Sequence, residues 1–317
     1  MDENGLLYGR CIIKESVLLN SNVKKLDFLI FSKGLFQLMK PRVMSLVIFT
    51  CVVGLLIAPT QISLFNSSMS LLAVALGAGA AGTLNMWYES DLDALMERTC
   101  LRPIPSGIIT KNQALIFGIS TSIISIITLF LFSNITAAII LGITILFYVI
   151  IYTIWLKRKT PQNIVIGGAA GALPPVIGWS IATGSIGIEP IILFLIIFFW
   201  TPSHFWALSL YRSDDYKKAN IPMLPLISGI DITKLNILIY SIIYTLIVLS
   251  PFFFGFYGLT YFTVSVVISS YYVYLCFKLF KEKITKNELV LSKKIFGFSI
   301  FHLFLIFILI LIDSTVI

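Results

Sequence analysis

Long apolar runs alternate with short polar segments along nearly the whole chain. Nine runs stand out, over residues 42–60, 70–92, 112–132, 136–156, 163–183, 189–211, 233–252, 256–279 and 294–312. A helix rises about 1.5 Å per residue, so a run of about 20 residues crosses the roughly 30 Å hydrocarbon core of a bilayer. The pattern predicts an all-α integral membrane protein with nine transmembrane helices. The third and fourth runs, and the seventh and eighth, are joined by tight turns; polar loops join most of the others.

The positive charges order these spans. With the N-terminus in the cytoplasm, seven Lys and Arg precede or open the first span. Three more follow the second span, three the fourth, four the sixth, and six surround the loop after the eighth, which together are all 23 in the chain. Basic residues concentrate on the cytoplasmic side of membrane proteins. The count therefore predicts a cytoplasmic N-terminus and an outer C-terminus. Among the acids in and around the spans only Glu189 and Asp313 fall outside. No Lys or Arg lies in the middle of a span, which speaks against a transporter or channel, where ionisable groups or broken helices sit near the midplane.

Composition agrees. The chain is 58% hydrophobic and 12% charged, against about 25% charged in soluble proteins. Aromatic residues at 14% suit long interfaces and an apolar cavity. The four cysteines, Cys11, Cys51, Cys100 and Cys276, have no paired spacing, so neither a disulfide frame nor a zinc site is indicated. The first 40 residues carry Asp2, Glu3, Glu15 and Asp27 and no clean apolar core, unlike a signal peptide. Val23–Lys40 reads either as an amphipathic interfacial helix or as a partly ordered cytoplasmic tail. The expected organisation is a tail over 1–40 and a nine-helix domain over 41–317. The lipid bilayer is its surroundings, and no nucleic-acid partner is expected.

Two acidic stretches fall on the cytoplasmic face. "NMWYESDLDALMERTCLRPIPSG" (Asn85–Gly107) ends span two, and "YRSDDYKKANIPMLPLISG" (Tyr211–Gly229) ends span six. Asp93 precedes Pro103 by ten residues and Asp215 precedes Pro225 by ten, a weak internal repeat. Each helical residue turns about 100°, so Asn85, Glu89 and Asp93 form one stripe roughly 12 Å long. Asp91 points away from that stripe on a regular helix. Oxygen ligands in this number suit Mg²⁺, which binds through one or two carboxylates, waters and substrate phosphates. Asn85, Glu89, Asp93 and Asp215 are the expected metal ligands, with Asp91 and Asp214 behind them. Arg98, Arg102, Lys217 and Lys218 are placed to grip phosphate oxygens. These residues point to an apolar cavity with a Mg²⁺–diphosphate site at its cytoplasmic mouth, which fits a lipid diphosphate. Loop charges that only stop a helix are the plainer alternative, disfavoured by two such loops on one face.

The first stretch resembles the N-x-x-x-D-x-x-x-D signature of UbiA-type intramembrane prenyltransferases. With "RPIP", and with "KRKTPQNIVIGGAAGALPPVIGW" (Lys157–Trp179), "TPSHFWALSLYRSDDY" (Thr201–Tyr216) and "IPMLP" (Ile221–Pro225), it is similar to the branch that farnesylates protoheme IX. The resemblance covers roughly residues 36–312. It implies a nine-helix bundle around a central cavity open to the cytoplasm, in a bacterial inner membrane. It implies transfer of farnesyl from farnesyl diphosphate to a vinyl group of heme B, with addition of water, to give heme O. Mg²⁺ would be the cofactor and Asp93, Asp215 and Arg98 would be catalytic. Contact with proteins of heme A synthesis or oxidase assembly would follow. Glu89 stands where the family usually has Asp, and Ala219 where a second carboxylate is usual.

Single residues leave alternatives open. His204, within span six, is read as an axial ligand to heme iron, a donor to a heme propionate, or a packing residue; the resemblance favours heme. His302 has no such context and is read as structural. Asn163 either touches diphosphate or caps a helix. "GGAAGALPP" (Gly167–Pro175) reads as close helix packing, with Pro174 and Pro175 as a secondary means of widening the cavity. A sister enzyme acting on an aromatic quinone precursor would share the metal chemistry, but "TPSHFWALSLYRSDDY" weighs against it. A purely structural assembly factor would not need paired acidic loops.

Overall fold

Each apolar run becomes one helix, or a pair broken at an identifiable residue. The computed structural model describes residues 24–96, 99–282 and 286–314, with backbone alone at 24–27 and 286–287. Residues 1–23, which include Cys11, and Arg98 lie outside the described residues. The helices are α1 (Lys24–Leu38), α2 (Pro41–Leu56), α3 (Leu64–Tyr88), α4 (Ser90–Leu95), α5 (Lys111–Phe132), α6 (Ile135–Leu146), α7 (Asn163–Ala172), α8 (Pro174–Thr183), α9 (Ile188–Tyr211), α10 (Ser213–Lys218), α11 (Leu224–Ile227), α12 (Ile230–Phe253), α13 (Leu259–Lys281) and α14 (Lys286–Ser314). A π-helical stretch, Phe147–Leu156, continues α6. Among the described residues eight spans are long and apolar enough to cross a membrane, and the pair α1–α2, bent by 48°, makes a ninth.

Local chemistry sets the boundaries. The Ser63 hydroxyl accepts from Asn66 N at the start of α3, and Asn134 Oδ1 accepts from Ala137 N at the start of α6. Thr110 and Gln113 form a capping box at α5. Pro41 opens α2, and Pro174 and Pro175 open α8, because a proline at the first helical positions removes only a donor that would be unpaired anyway. Span five is therefore two half-helices meeting at Leu173, a break its two prolines explain.

The spans close into a ring. α2 packs on α3, α8 and α14, α3 on α5, the π stretch on α7, α7 on α9, and α9 on α12 and α14. α2 and α8 cross backbone to backbone: a Cβ at Gly54 would lie 2.1 Å from Pro175 O, and one at Gly178 would lie 1.9 Å from Cys51 O. Small residues give this close approach in lipid. One apolar core joins α2, α7, α9 and α12–α14, and a second joins α2, α3, α5, α6 and α8. Space between the two cores is left as cavity.

α1 is part of the body rather than a loose tail. Leu38 is fully buried, and Phe31 and Leu35 pack with Met86, Ile104 and Ile109 over the loop that follows α4. Phe28, Leu29 and Phe36 stay exposed on its other side, as on a helix lying in a membrane interface. At the opposite end of the bundle Tyr257 donates to Glu189 at 2.6 Å, and Asp313 accepts from the free N–H of Gly258 at the start of α13. His302 is held on both nitrogens, by Tyr244 at 2.7 Å and Ser269 at 3.0 Å, which fits the structural role expected of it.

The orientation has a direct test. In a variant with the native cysteines replaced, a cysteine at Ser106 or Lys159 should react with an impermeant reagent only from the cytoplasmic side, and one at Ser67 only from the outside. Labelling of all three from one side would contradict the arrangement.

Candidate functional site

The helix carrying Asn85 changes at Glu89 without losing its ladder. α3 ends at Tyr88 and α4 begins at Ser90, yet Glu89 N still bonds Asn85 O at 3.0 Å and Asp93 N bonds Glu89 O at 2.8 Å. Asn85, Glu89 and Asp93 thus remain one row. Their exposures are 2%, 3% and 1%, so three acceptor side chains are held out of water at the end of the bundle that carries the basic residues. Asp91 stands off the row, as the spacing predicts. It is exposed and takes two bonds from Arg158, at 2.9 and 3.0 Å. Partial burial alone would raise its carboxyl; the bonds from Arg158 outweigh this and hold it below its ordinary value.

Every member of the row meets a cation from another segment. Lys40 Nζ donates to Asn85 Oδ1 at 2.5 Å. Lys157 Nζ lies 2.6 Å from both Glu89 oxygens. Arg102 reaches both Asp93 oxygens at 2.8 Å. Charges this deep are costly unless paired, so Lys157 and Arg102 offset the burial of Glu89 and Asp93, whereas Lys40 bonds the neutral amide of Asn85. Lys40 is held in the left-handed region, at φ 54° and ψ 60°, just before Pro41. That conformation costs a non-glycine residue about 1–3 kcal/mol, and the bend it makes directs the ammonium onto Asn85.

The π stretch supplies the other partners. Lys157 N bonds Tyr152 O at 3.0 Å, and Thr153 Oγ1 donates to Tyr148 O at 2.9 Å, both five residues apart. Such widened turns rotate the next turn of helix about its axis and recur at functional sites. Here Thr153 Oγ1 accepts from Asn85 Nδ2 at 3.0 Å. This fixes the amide with its oxygen toward Lys40. Gly167 makes room for the stretch, since a Cβ there would lie 2.1 Å from the Tyr152 ring.

The second acidic loop packs against the first. Leu92 from α4 and Met96 just after it share a small apolar core with Ile164, Tyr216, Ile221 and Met223. Asp215 is largely buried, and among the described residues its nearest basic group is Arg212 at 3.9 Å; its Oδ2 has no hydrogen-bond partner. Asp214, Lys217 and Lys218 are exposed, and no ion pair joins either lysine to the row. Asn163 is fully buried and does not cap α7: its Nδ2 donates to Thr160 O at 2.6 Å, and its Oδ1 has no partner.

Beneath the row lie two apolar chambers. A narrow one of about 130 Å³ is lined by Lys40, Ala78, Gly82, Leu141 and Ile177 among others. A larger one of about 620 Å³ is lined by Arg42, Phe49, Tyr152, Trp200, His204 and Phe304 among others. His204 is 5% exposed and sandwiched between Trp200 and Phe296, with ring centroids at 4.2 and 4.4 Å. Its Nδ1 lies 2.7 Å from Ser299 Oγ, whose own hydroxyl donates to Phe296 O at 2.7 Å. With the Ser299 hydroxyl donating to Phe296 O, Ser299 Oγ is left to accept from Nδ1, the arrangement that leaves the lone pair on Nε2 of this chamber-lining ring.

Among the described residues no three His, Cys, Asp or Glu side chains converge as a metal site of their own. Mg²⁺ seldom uses such a cage and keeps waters and substrate phosphates. Asn85, Glu89 and Asp93 are buried oxygen acceptors, and Asp215 Oδ2 on α10 and Asn163 Oδ1 at the first residue of α7 have no hydrogen-bond partner; oxygen is the donor type that Mg²⁺ takes. Lys40, Lys157, Thr153, Arg42 and Ser299 are site residues that the sequence pattern does not mark. Lys157 is visible there only as a loop charge, and the π register that aims Thr153 leaves no mark in the hydropathy pattern.

Comparison with known proteins places this architecture. Residues 47–308 match the UbiA prenyltransferase family. The protoheme IX farnesyltransferase of Pelagibacter ubique is 62% identical over 299 residues, covering 94% of this chain and 98% of its own. That of Parvibaculum lavamentivorans is 49% identical over 283 residues, covering 89% of each. A digeranylgeranylglyceryl phosphate synthase structure superposes with a TM-score of 0.76 at 18% identity, over 90% of this chain and 99% of that one. A UbiA homologue from Archaeoglobus fulgidus bound to DMAPP and Mg²⁺ superposes with a TM-score of 0.62 at 17% identity, over 85% and 99%. These last two share the fold. By family match and by identity over nearly its whole length, the chain belongs to the UbiA prenyltransferase family.

Proposed function

We propose that the protein transfers the farnesyl group of farnesyl diphosphate to a vinyl group of heme B, with addition of water, to make heme O. The observation that carries this is the pairing of a buried, counter-charged acceptor row with a large aromatic chamber whose one histidine keeps a free Nε2. The naming of its relatives as protoheme IX farnesyltransferases supports the same reading.

Asn85, Glu89 and Asp93, with Asp215 from the second loop, would hold Mg²⁺. When bound, the ion neutralises charge that develops on the departing diphosphate. Lys40, Lys157 and Arg102 are the cations already at the row, and they can move from carboxylates to phosphate oxygens when the anion arrives. Arg98 follows Asp93 in sequence and is assigned to the same anion; Lys217 and Lys218 serve capture at the mouth rather than the reacting bond. Asn163 is assigned to the diphosphate as well.

The allylic carbon–oxygen bond breaks and its electron pair leaves with diphosphate. The vinyl π pair forms the new carbon–carbon bond. Water adds at the carbon beside the macrocycle and loses one proton, for which released diphosphate is a sufficient base. Until the vinyl group attacks, the allylic cation must be kept from water. The apolar lining of both chambers does this, and the faces of Tyr148 and Tyr152 can stabilise positive charge. His204 Nε2 is set to ligate iron, with Ser299 fixing the tautomer from the far side of the ring. Arg42, on the lining of the large chamber, is suited to a propionate. In the cell the mouth faces the cytoplasm, and contacts with heme A synthesis or oxidase assembly proteins would receive the product.

Incubation of purified protein with heme B, Mg²⁺ and farnesyl diphosphate should give a product heavier than heme B by one farnesyl group and one hydroxyl. A prenylated quinone precursor with no heme product would contradict the proposal. Asp93→Asn should reduce turnover by about 10²-fold or more, the usual loss on removing a principal electrostatic contact, while the protein stays folded; full activity in this variant or in EDTA would remove the metal role. Glu89→Asp should retain much of the activity. His204→Ala should weaken heme binding and abolish the ligated Soret band while sparing diphosphate binding. An unchanged spectrum with weaker affinity would mark a propionate contact instead, and no change at all would mark a packing residue.

A further inference from the structure

The glycines of "GGAAGALPP" differ in what surrounds them. A Cβ at Gly167 would lie 2.1 Å from the Tyr152 ring, and one at Gly168 would lie 3.0 Å from the Thr201 side chain. Packing accounts for both. A Cβ at Gly171 would meet nothing within 4 Å. Glycine inside a helix costs about 1 kcal/mol relative to alanine, and at Gly171 no close contact explains it.

Gly171 lies between the two chambers. Only Val43, Val47, Tyr148 and Gly171 line both the narrow and the large one. Three of these present side chains and form a partition; at Gly171 the partition has none. The position is also at the right depth. Tyr148 precedes Thr153, the partner of Asn85, by five residues, so the gap lies one to two helical turns below the acceptor row. The narrow chamber begins under that row at Gly82 and carries Lys40, whereas the large one holds His204 with its unpartnered Nε2.

We infer that Gly171 is a positioning residue for the reaction, the window at which a prenyl chain in the narrow chamber meets the acceptor in the large one. The identity of donor and acceptor, and which chamber each occupies, rest on the proposed function; the gap between the chambers does not. A side chain at 171 would project into the open space between the chambers and narrow the gap. It would therefore act on the encounter between them. Misplacement by about 1 Å can cost about 10²-fold in rate, so even a methyl group should be felt.

The test compares Gly171→Ala and Gly171→Leu with the parent in the full-length, detergent-solubilised protein. Transfer should fall several-fold in Gly171→Ala and by about 10²-fold or more in Gly171→Leu. Heme affinity, read from the Soret band, and Mg²⁺-dependent binding of farnesyl diphosphate should fall far less than transfer does. The thermal midpoint of Gly171→Ala should be equal to or above the parent's, while Gly167→Ala should lower it. Parental turnover in Gly171→Leu would overturn the inference. So would a lowered midpoint in Gly171→Ala, or a loss of transfer fully matched by lost affinity for one substrate. If the parent prenylates a different acceptor, the proposed function fails and the same variants are scored on that acceptor.

Discussion

Buried carboxylates at the edge of a membrane need counter-charge, and this requirement organises the protein. Glu89 and Asp93 are nearly sealed from solvent, and each is met by a cation from a different part of the chain, while the neutral amide of Asn85 accepts a hydrogen bond from Lys40. Lys40 comes from the α1–α2 bend, Lys157 from the end of the π stretch, and Arg102 from the loop after α4. The left-handed backbone at Lys40, the widened turns before Lys157 and the glycine under Tyr152 all serve those three contacts. The same charges that make the row tolerable when alone are those a diphosphate would claim. The proposed joint binding of a diphosphate and Mg²⁺ rests on this arrangement, since either alone would leave charge unbalanced.

The apolar part of the site follows from the packing of two cores. Their boundary leaves one chamber under Lys40 and another beside His204, with small residues of α3 and α7 thinning the walls. His204 is held by stacking on two sides and by Ser299 on a third. A ring fixed on all but one edge is suited to present its free nitrogen, which separates it from His302, bonded on both nitrogens.

Much of this was legible in the sequence because membrane spans obey simple rules. Hydropathy located most helix ends to within a few residues, although α3 starts at Leu64 rather than 70 and α14 at Lys286 rather than 294, and the Asn85/Glu89/Asp93 spacing survived a helix break because the i to i+4 ladder runs through it. What stayed hidden depends on three-dimensional register. The hydropathy of Phe147–Leu156 is the same whether its turns are α or π, yet only the π form brings Thr153 to Asn85. Lys40 and Lys157 read as loop charges that orient the protein, and only the fold turns them inward. Lys217 and Lys218, equally basic, stay exposed. Composition also made the glycines after Asn163 look alike, although two are packed and one faces open space.

Binding of a non-reactive farnesyl diphosphate analogue, measured calorimetrically as a function of Mg²⁺, tests the charge-balanced cradle most directly. Tight binding should require Mg²⁺ and should weaken markedly in Lys157→Met, in which Glu89 loses its partner. Equal affinity in the presence of a chelator, with no effect of that substitution, would contradict it.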